Sequence, residues 1–274
     1  MTRSTITLNP ATGLVSPPET QHNILAFGRH MYNYGHAECN DEDPIRMDSI
    51  VAVGDFSGSG SSYYAVFDGH GNKDVCEYAG NNLHRVFARD FSNDINPKTL
   101  ITPSIEEVND FLVKNWPDQG CSMAAVMIWK NDIYTANLGD TQILLITEEG
   151  DLVHMSELHS PLNENEAKEV EARGGFIQDG LVNGEVPVTR SLGDGYLKKV
   201  ISHEPYLSQV KRHDGMVIVI GCAGIFNTLS DKRIAALACS HTTAPSAAQS
   251  ITKEALKKGA TENVSCIVLW LTPK

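Results

Sequence analysis

No run of about 18 or more apolar residues occurs in this 274-residue sequence. The opening Met1-Thr2-Arg3-Ser4-Thr5-Ile6-Thr7 lacks the apolar stretch of a signal peptide. A membrane-spanning helix is therefore not expected, and a soluble, cytoplasmic protein is. Paired cysteines are missing too: Cys39, Cys76, Cys121, Cys222, Cys239 and Cys266 are scattered, in a chain long enough to bury a core without staples. They read as reduced thiols, none in the cationic or Gly-rich setting that makes a thiolate nucleophile. The histidines show no H-E-x-x-H or paired zinc spacing. The Gly/Ser-rich stretch 54–62 lacks the Lys-Ser/Thr ending of a phosphate-binding loop. Positive charge is scarce, with 22 Lys and Arg against 34 Asp and Glu and a net charge of -12. Such a field repels nucleic acid and anionic membranes, so neither is expected as the main partner.

What is present is ordered globular patterning. Residues 1–22 are rich in Thr, Pro and Ser and predict a flexible arm, leaving 23–274 as one domain. Short apolar or alternating runs predict strands at Ser49–Val53, Ser62–Phe67, Ser122–Lys130, Ile133–Leu138, Gln142–Thr147, Met216–Ile220 and Val264–Leu271. The tight links Asn131-Asp132 and Glu148-Glu149-Gly150-Asp151 require antiparallel neighbours. Val75, Ala79, Leu83, Val86 and Phe87 share one face of a helix over about 73–90. Ser104 with Glu107 predicts a helix start, and Asn163 with Glu166 another, ending at Gly174-Gly175. Two further helices are expected near 230–239 and 246–258. Glu164, Glu166, Glu169 and Glu171 read as a solvated acidic face, and Trp116, Trp129 and Trp270 as packing residues. Grouped antiparallel strands with clustered helices predict an α+β sandwich.

The segment Tyr63-Tyr64-Ala65-Val66-Phe67-Asp68-Gly69-His70-Gly71 carries the most chemistry. An apolar strand delivers a carboxylate to its end, two glycines let the backbone approach a ligand closely, and a histidine adjoins. Asp68 suits hard cations and His70 suits proton donation. An Asp-Gly turn that merely closes a strand is the alternative.

Six segments in order bear a family resemblance. Phe67-Asp68-Gly69-His70-Gly71, Ala136-Asn137-Leu138-Gly139-Asp140-Thr141, Val188-Thr189-Arg190-Ser191-Leu192-Gly193-Asp194, Glu204-Pro205, Gly224-Ile225-Phe226-Asn227-Thr228-Leu229-Ser230-Asp231 and Glu262-Asn263-Val264-Ser265 resemble the motifs of the PPM (type 2C) metal-dependent serine/threonine protein phosphatases. The resemblance covers about residues 30–272. It implies an α-β-β-α sandwich, two antiparallel sheets flanked by helices, with Mn²⁺ or Mg²⁺ at one edge activating a water against phosphoserine or phosphothreonine. It also implies Asp68 as a bridging metal ligand, Gly69 as a carbonyl ligand, His70 as the acid for the leaving alkoxide, and Asp140 as ligand of a weaker metal.

Departures from the pattern bear on activity. Where the family has a strand-end acid, Ala223 presents a methyl group; Asn227 and Glu262 replace two further aspartates, and Glu262 keeps its carboxylate. The N-terminal acidic motif aligns with Arg46-Met47-Asp48-Ser49, which gives one metal ligand at Asp48, a lost acid at Ser49 and Arg46 as the phosphate-binding candidate. It aligns alternatively with Asn40-Asp41-Glu42-Asp43. One or two weakly held cations are expected, or none. The pattern is similar to pseudophosphatase adaptors such as the one that binds TGF-beta-activated kinase, which implies a signalling partner such as a kinase. It is also similar to the phosphatase domains attached to leucine-rich repeats and fungal adenylyl cyclases, which also look degenerate near the N-terminal acids and some of which are active, and this implies a phosphoprotein substrate. Fold alone does not decide between a weak or dead enzyme and a working one.

Overall fold

The computed structural model describes residues 24–39, 47–56, 58 and 60–273. The expected arm over 1–22, the alternative motif Asn40–Asp43 and Arg46 lie outside these residues. In chain order the elements are β1 (Ile24–Phe27), β2 (Tyr32–Cys39), β3 (Ser49–Val53), β4 (Ser62–His70), α1 (Asp74–Asp90), α2 (Lys98–Asn115), β5 (Gly120–Trp129), β6 (Asp132–Leu138), β7 (Gln142–Ile146), β8 (Leu152–His154), α3 (Glu164–Ala172), β9 (Ile177–Gln178), β10 (Leu181–Val182), β11 (Leu192–Gly193), β12 (Tyr206–Lys211), β13 (Val217–Gly221), α4 (Ala223–Phe226), α5 (Asp231–Cys239), α6 (Ala244–Lys257) and β14 (Val264–Pro273).

One sheet runs β1-β3-β4-β5-β6-β12, with β11 pairing to β5; the second runs β2-β14-β13-β7-β8. Helices α1 and α2 cover the first sheet, while α5 and α6 cover the second. The α-β-β-α sandwich expected from the sequence is therefore what forms. The expectation of antiparallel neighbours holds throughout the main sheets except at the edge, where β1 runs parallel to β3.

Strand alternation sorts the core into two layers. Ile50, Ala52, Tyr64, Val66, Ala124 and Val126 pack between the sheets. Their chain neighbours Val51, Val53, Ala65, Phe67, Met123 and Ala125 pack beneath α1 and α2. With both faces covered, β5 is buried along its whole length, and its sequence reads as a continuous apolar run rather than an alternating one. Helix α1 buries Val75, Ala79, Leu83, Val86 and Phe87, the face its periodicity marks.

Two local expectations are corrected. Ser104 does not start a helix: it lies inside α2, which begins after Pro97, and its hydroxyl donates to the Leu100 carbonyl (2.7 Å). Glu107 instead pairs with Arg89 of α1 (2.8 Å). Asn163 does cap α3, accepting from the Asn165 N–H (3.0 Å). Glu166, however, is not part of a solvated face: it is buried, taking the Arg190 guanidinium (2.6 Å) and the Thr189 hydroxyl (2.5 Å).

Candidate metal and phosphate site

The register of the first sheet assembles the site. Ser49 pairs with Phe67, so the next residues along, Asp48 and Asp68, meet where β3 and β4 reach the sandwich edge. Both carry the inner-face parity of Ile50 and Val66, and so point between the sheets. Ser49 has the opposite parity. Its hydroxyl lies where a Cβ on Gly80 of α1 would stand, so this expected ligand position faces the helix rather than the cleft. An acid there would meet α1, and its loss removes no donor from the inner face.

Asp68, Gly69, His70, Asp140, Ala223 and Glu262 line one cleft of about 280 Å³, together with Ser122 and Asn263. Asp48 lies behind Asp68, 1% exposed. The Ser265 hydroxyl donates to its Oδ2 (2.5 Å), whereas its buried Oδ1 has no hydrogen-bond partner. Burial pushes the Asp48 carboxyl up to about 6, the Ser265 hydrogen bond opposes this, and the negative charge of Glu38 adds to it. Asp68 is pushed well above the usual carboxylate range, first by burial and then by the charges of Asp48 and Asp140. The Ala223 N–H donates to Asp68 Oδ2 (3.1 Å) and partly offsets that. Across the cleft, Ser122 donates to Asp140 Oδ1 (2.8 Å), and partial burial with the Asp140 charge raises Glu262.

Gly69 is required by close approach: a Cβ there would stand 2.7 Å from the Met47 carbonyl oxygen and 2.9 Å from Cys76 Sγ. Gly71 is required by conformation, at φ +93°. The Cys76 thiol is pushed up by burial, and so is Cys222, which fits the expectation of unreactive cysteines. Asn227 caps the end of α4, is exposed and does not line the cleft.

Among the described residues, no three His, Cys, Asp or Glu side chains converge into a ready-made cation cage. What the edge offers is the Asp48–Asp68 pair with an orphaned buried oxygen, and the Asp140 and Glu262 carboxylates facing the same cleft. This all-oxygen set fits one hard cation of the Mg²⁺ or Mn²⁺ class that keeps several waters. Ala223, on the same cleft wall, contributes only a methyl and a backbone N–H.

Sequence reasoning missed the supporting residues. Ser265 holds Asp48, Ser122 holds Asp140, and Asp194 takes His70 Nε2 (2.8 Å). Ser265 and Asp194 stand inside the motif segments, which is the signal that could have exposed them.

No helix among the described residues is long and apolar enough to cross a membrane. The Protein phosphatase 2C family model matches residues 38–264. The chain is 30% identical over 240 residues to protein phosphatase 2C homolog 1 of Schizosaccharomyces pombe, spanning 82% of this chain and 68% of that protein. A C. elegans sex-determining protein shares the fold with a TM-score of 0.79 at 23% identity, over 88% of this chain and 65% of that one. A phosphatase from Toxoplasma gondii shares it with a TM-score of 0.77 at 15% identity, over 89% of this chain and 94% of that one. Members of this family typically use Mn²⁺ or Mg²⁺. Motif order, sheet register and these likenesses agree, and the chain belongs to the protein phosphatase 2C family.

Proposed function

We propose that this is a protein phosphatase 2C domain with an incomplete cation site, of very weak or absent hydrolytic activity, that acts in signalling by binding a phosphoprotein or a protein such as a kinase. The observation that carries this is Ala223: at the cleft wall beside Asp68 it supplies a backbone N–H to Asp68 Oδ2 (3.1 Å) where a carboxylate would complete the donor set. The N–H takes one lone pair of that oxygen and leaves the other free, but the Ala223 methyl supplies no donor, and each missing acid lowers affinity for a divalent ion. A bound Mn²⁺ or Mg²⁺ supplies Lewis acidity and a water of lowered pKa. Asp48 and Asp68 would hold it, with the Gly69 carbonyl, while Glu262 and Asp140 face it from across the cleft. His70, two residues on from Asp68, would protonate a leaving alkoxide.

The opposite reading, a working Mn²⁺- or Mg²⁺-dependent serine/threonine phosphatase, is favoured by the anchored His70 and by the acids that remain at 48, 68, 140 and 262. Hydrolysis of a phosphothreonine peptide over a Mn²⁺ and Mg²⁺ series, with Asp68→Asn as control, separates the two. The proposal expects turnover within a few-fold of the control. Robust metal-dependent turnover abolished by Asp68→Asn overturns it and establishes the enzyme.

A further inference from the structure

The resemblance assigns nothing to Asp194, yet it is the most tightly engaged carboxylate at the cleft edge. It is fully buried, whereas its partner His70 keeps 28% of its side chain exposed. His70 Nε2 lies 2.8 Å from Asp194 Oδ2 and 3.0 Å from Oδ1, and the Ser191 hydroxyl donates to Oδ2 at 2.5 Å. The backbone at Asp194 is left-handed (φ 46°), a region that residues other than glycine rarely adopt. It is held there by its own N–H to the Gln119 carbonyl (2.7 Å), and the Gly193 N–H donates to Asn109 Oδ1 (2.8 Å).

The sheet explains how the two side chains meet. Strand β5 lies between β4 and β11, and Gly120 pairs with His70 on one side and with Gly193 on the other. A Cβ built on Gly120 would overlap both Asp194 Oδ2 and His70 Nε2. Only a residue without a side chain at 120 lets the imidazole reach the carboxylate across the strand. A left-handed aspartate, held by a serine donor, reaches one ring nitrogen through a glycine gap.

We propose that Asp194 is the positioning residue of His70: it fixes the ring with its proton on Nε2, so that Nδ1 is the nitrogen that exchanges a proton in the cleft. A carboxylate only accepts hydrogen bonds, so the neutral ring must carry Nε2–H to satisfy it. When the imidazolium acts on a phosphoester, the P–O bond to the serine or threonine oxygen breaks as water attacks phosphorus. That oxygen takes the proton from Nδ1, the N–H electron pair stays on the ring, and Asp194 balances the charge until then. This step rests on the phosphatase reading; the placement of the ring proton does not.

The test is nuclear magnetic resonance of the ¹⁵N-histidine-labelled protein at mildly alkaline pH in chelator, with His70 assigned by its loss in His70→Gln. The wild type is expected to show a downfield, exchange-protected Nε2–H proton and an unprotonated Nδ1 for His70. Asp194→Ala is expected to lose the protected proton and to leave the ring exchanging between tautomers. Gly120→Ala, which keeps Asp194 but wedges a methyl between the partners, is expected to do the same and decides the matter if Asp194→Ala does not fold. A wild-type ring protonated on Nδ1, or a protected Nε2–H that survives Gly120→Ala, overturns the proposal. Because no turnover is measured, a silent phosphopeptide assay leaves this result standing, and this result leaves the question of turnover open.

Discussion

Replacing Asp48 by Asn should stabilise the cation-free protein at neutral pH. Asp48 is 1% exposed, and its carboxyl is raised from the ordinary value of 3.8 to about 6 by burial and by Glu38. A raised folded-state pKa means the neutral acid is the stabilising form. That stability is complete below about pH 4 and is lost as pH rises through about 6. A difference of roughly 2 units corresponds to about 3 kcal/mol forfeited above pH 7. The substituted amide is isosteric: its carbonyl accepts from Ser265 Oγ, and the buried negative charge beside Asp68 is gone. Asp48→Asn should therefore raise the melting temperature in chelator by roughly 5–10 °C near pH 8 and by little near pH 4. The natural carboxylate is retained against folding stability, as expected of a binding site. Thermal unfolding by circular dichroism at the two pH values measures this. Equal melting temperatures for wild type and variant near pH 8, or a less stable variant there, would refute the electrostatic account of the pair.

Three further outcomes follow from the same contacts. Ala223→Asp, which returns an acid to the cleft beside Asp68, should tighten Mn²⁺ binding at least about ten-fold and raise phosphothreonine hydrolysis, read by calorimetry and phosphate release. Glu166→Gln leaves the Arg190 guanidinium in a largely buried place without its carboxylate, and should cost about 2–4 kcal/mol in urea unfolding. Gly80→Ala drives a methyl into the Ser49 hydroxyl at the α1–β3 contact and should cost about 1–3 kcal/mol, seen as a lower urea midpoint with unchanged slope.

The central strands were legible because their residues are apolar in both layers: β3 to β7, β13 and β14 fall within a few residues of the runs that mark them. Strands β2 and β12 were not. Tyr32–Cys39 mixes Asn, Gly, His and Glu with its aromatics, because it is an edge strand whose inner face turns polar toward Asp48. Tyr206–Lys211 is the opposite edge and alternates too weakly to stand out. Parallel pairing of β1 with β3 is set by tertiary packing and leaves no local signal. At the site, the motif segments that carry Asp68, Gly69, His70, Asp140, Ala223 and Glu262 meet along one cleft, since each residue sits at a strand end or in the turn beyond it. It could not show that Ser49 faces α1, because that depends on which face of β3 each sheet covers. Nor could it show that Gly120 makes room for His70 and Asp194, because three strands must align before the gap exists.

The most direct test of the account is calorimetric titration of the chelator-treated wild type with Mn²⁺, with Asp68→Asn as the blank. An edge that offers the Asp48–Asp68 pair but only a backbone N–H at Ala223 predicts a single ion bound weakly, with Kd of roughly millimolar order, and no binding to the variant. Two ions bound with micromolar affinity would contradict it, and would show that Glu262 and Asp140 close the site despite Ala223.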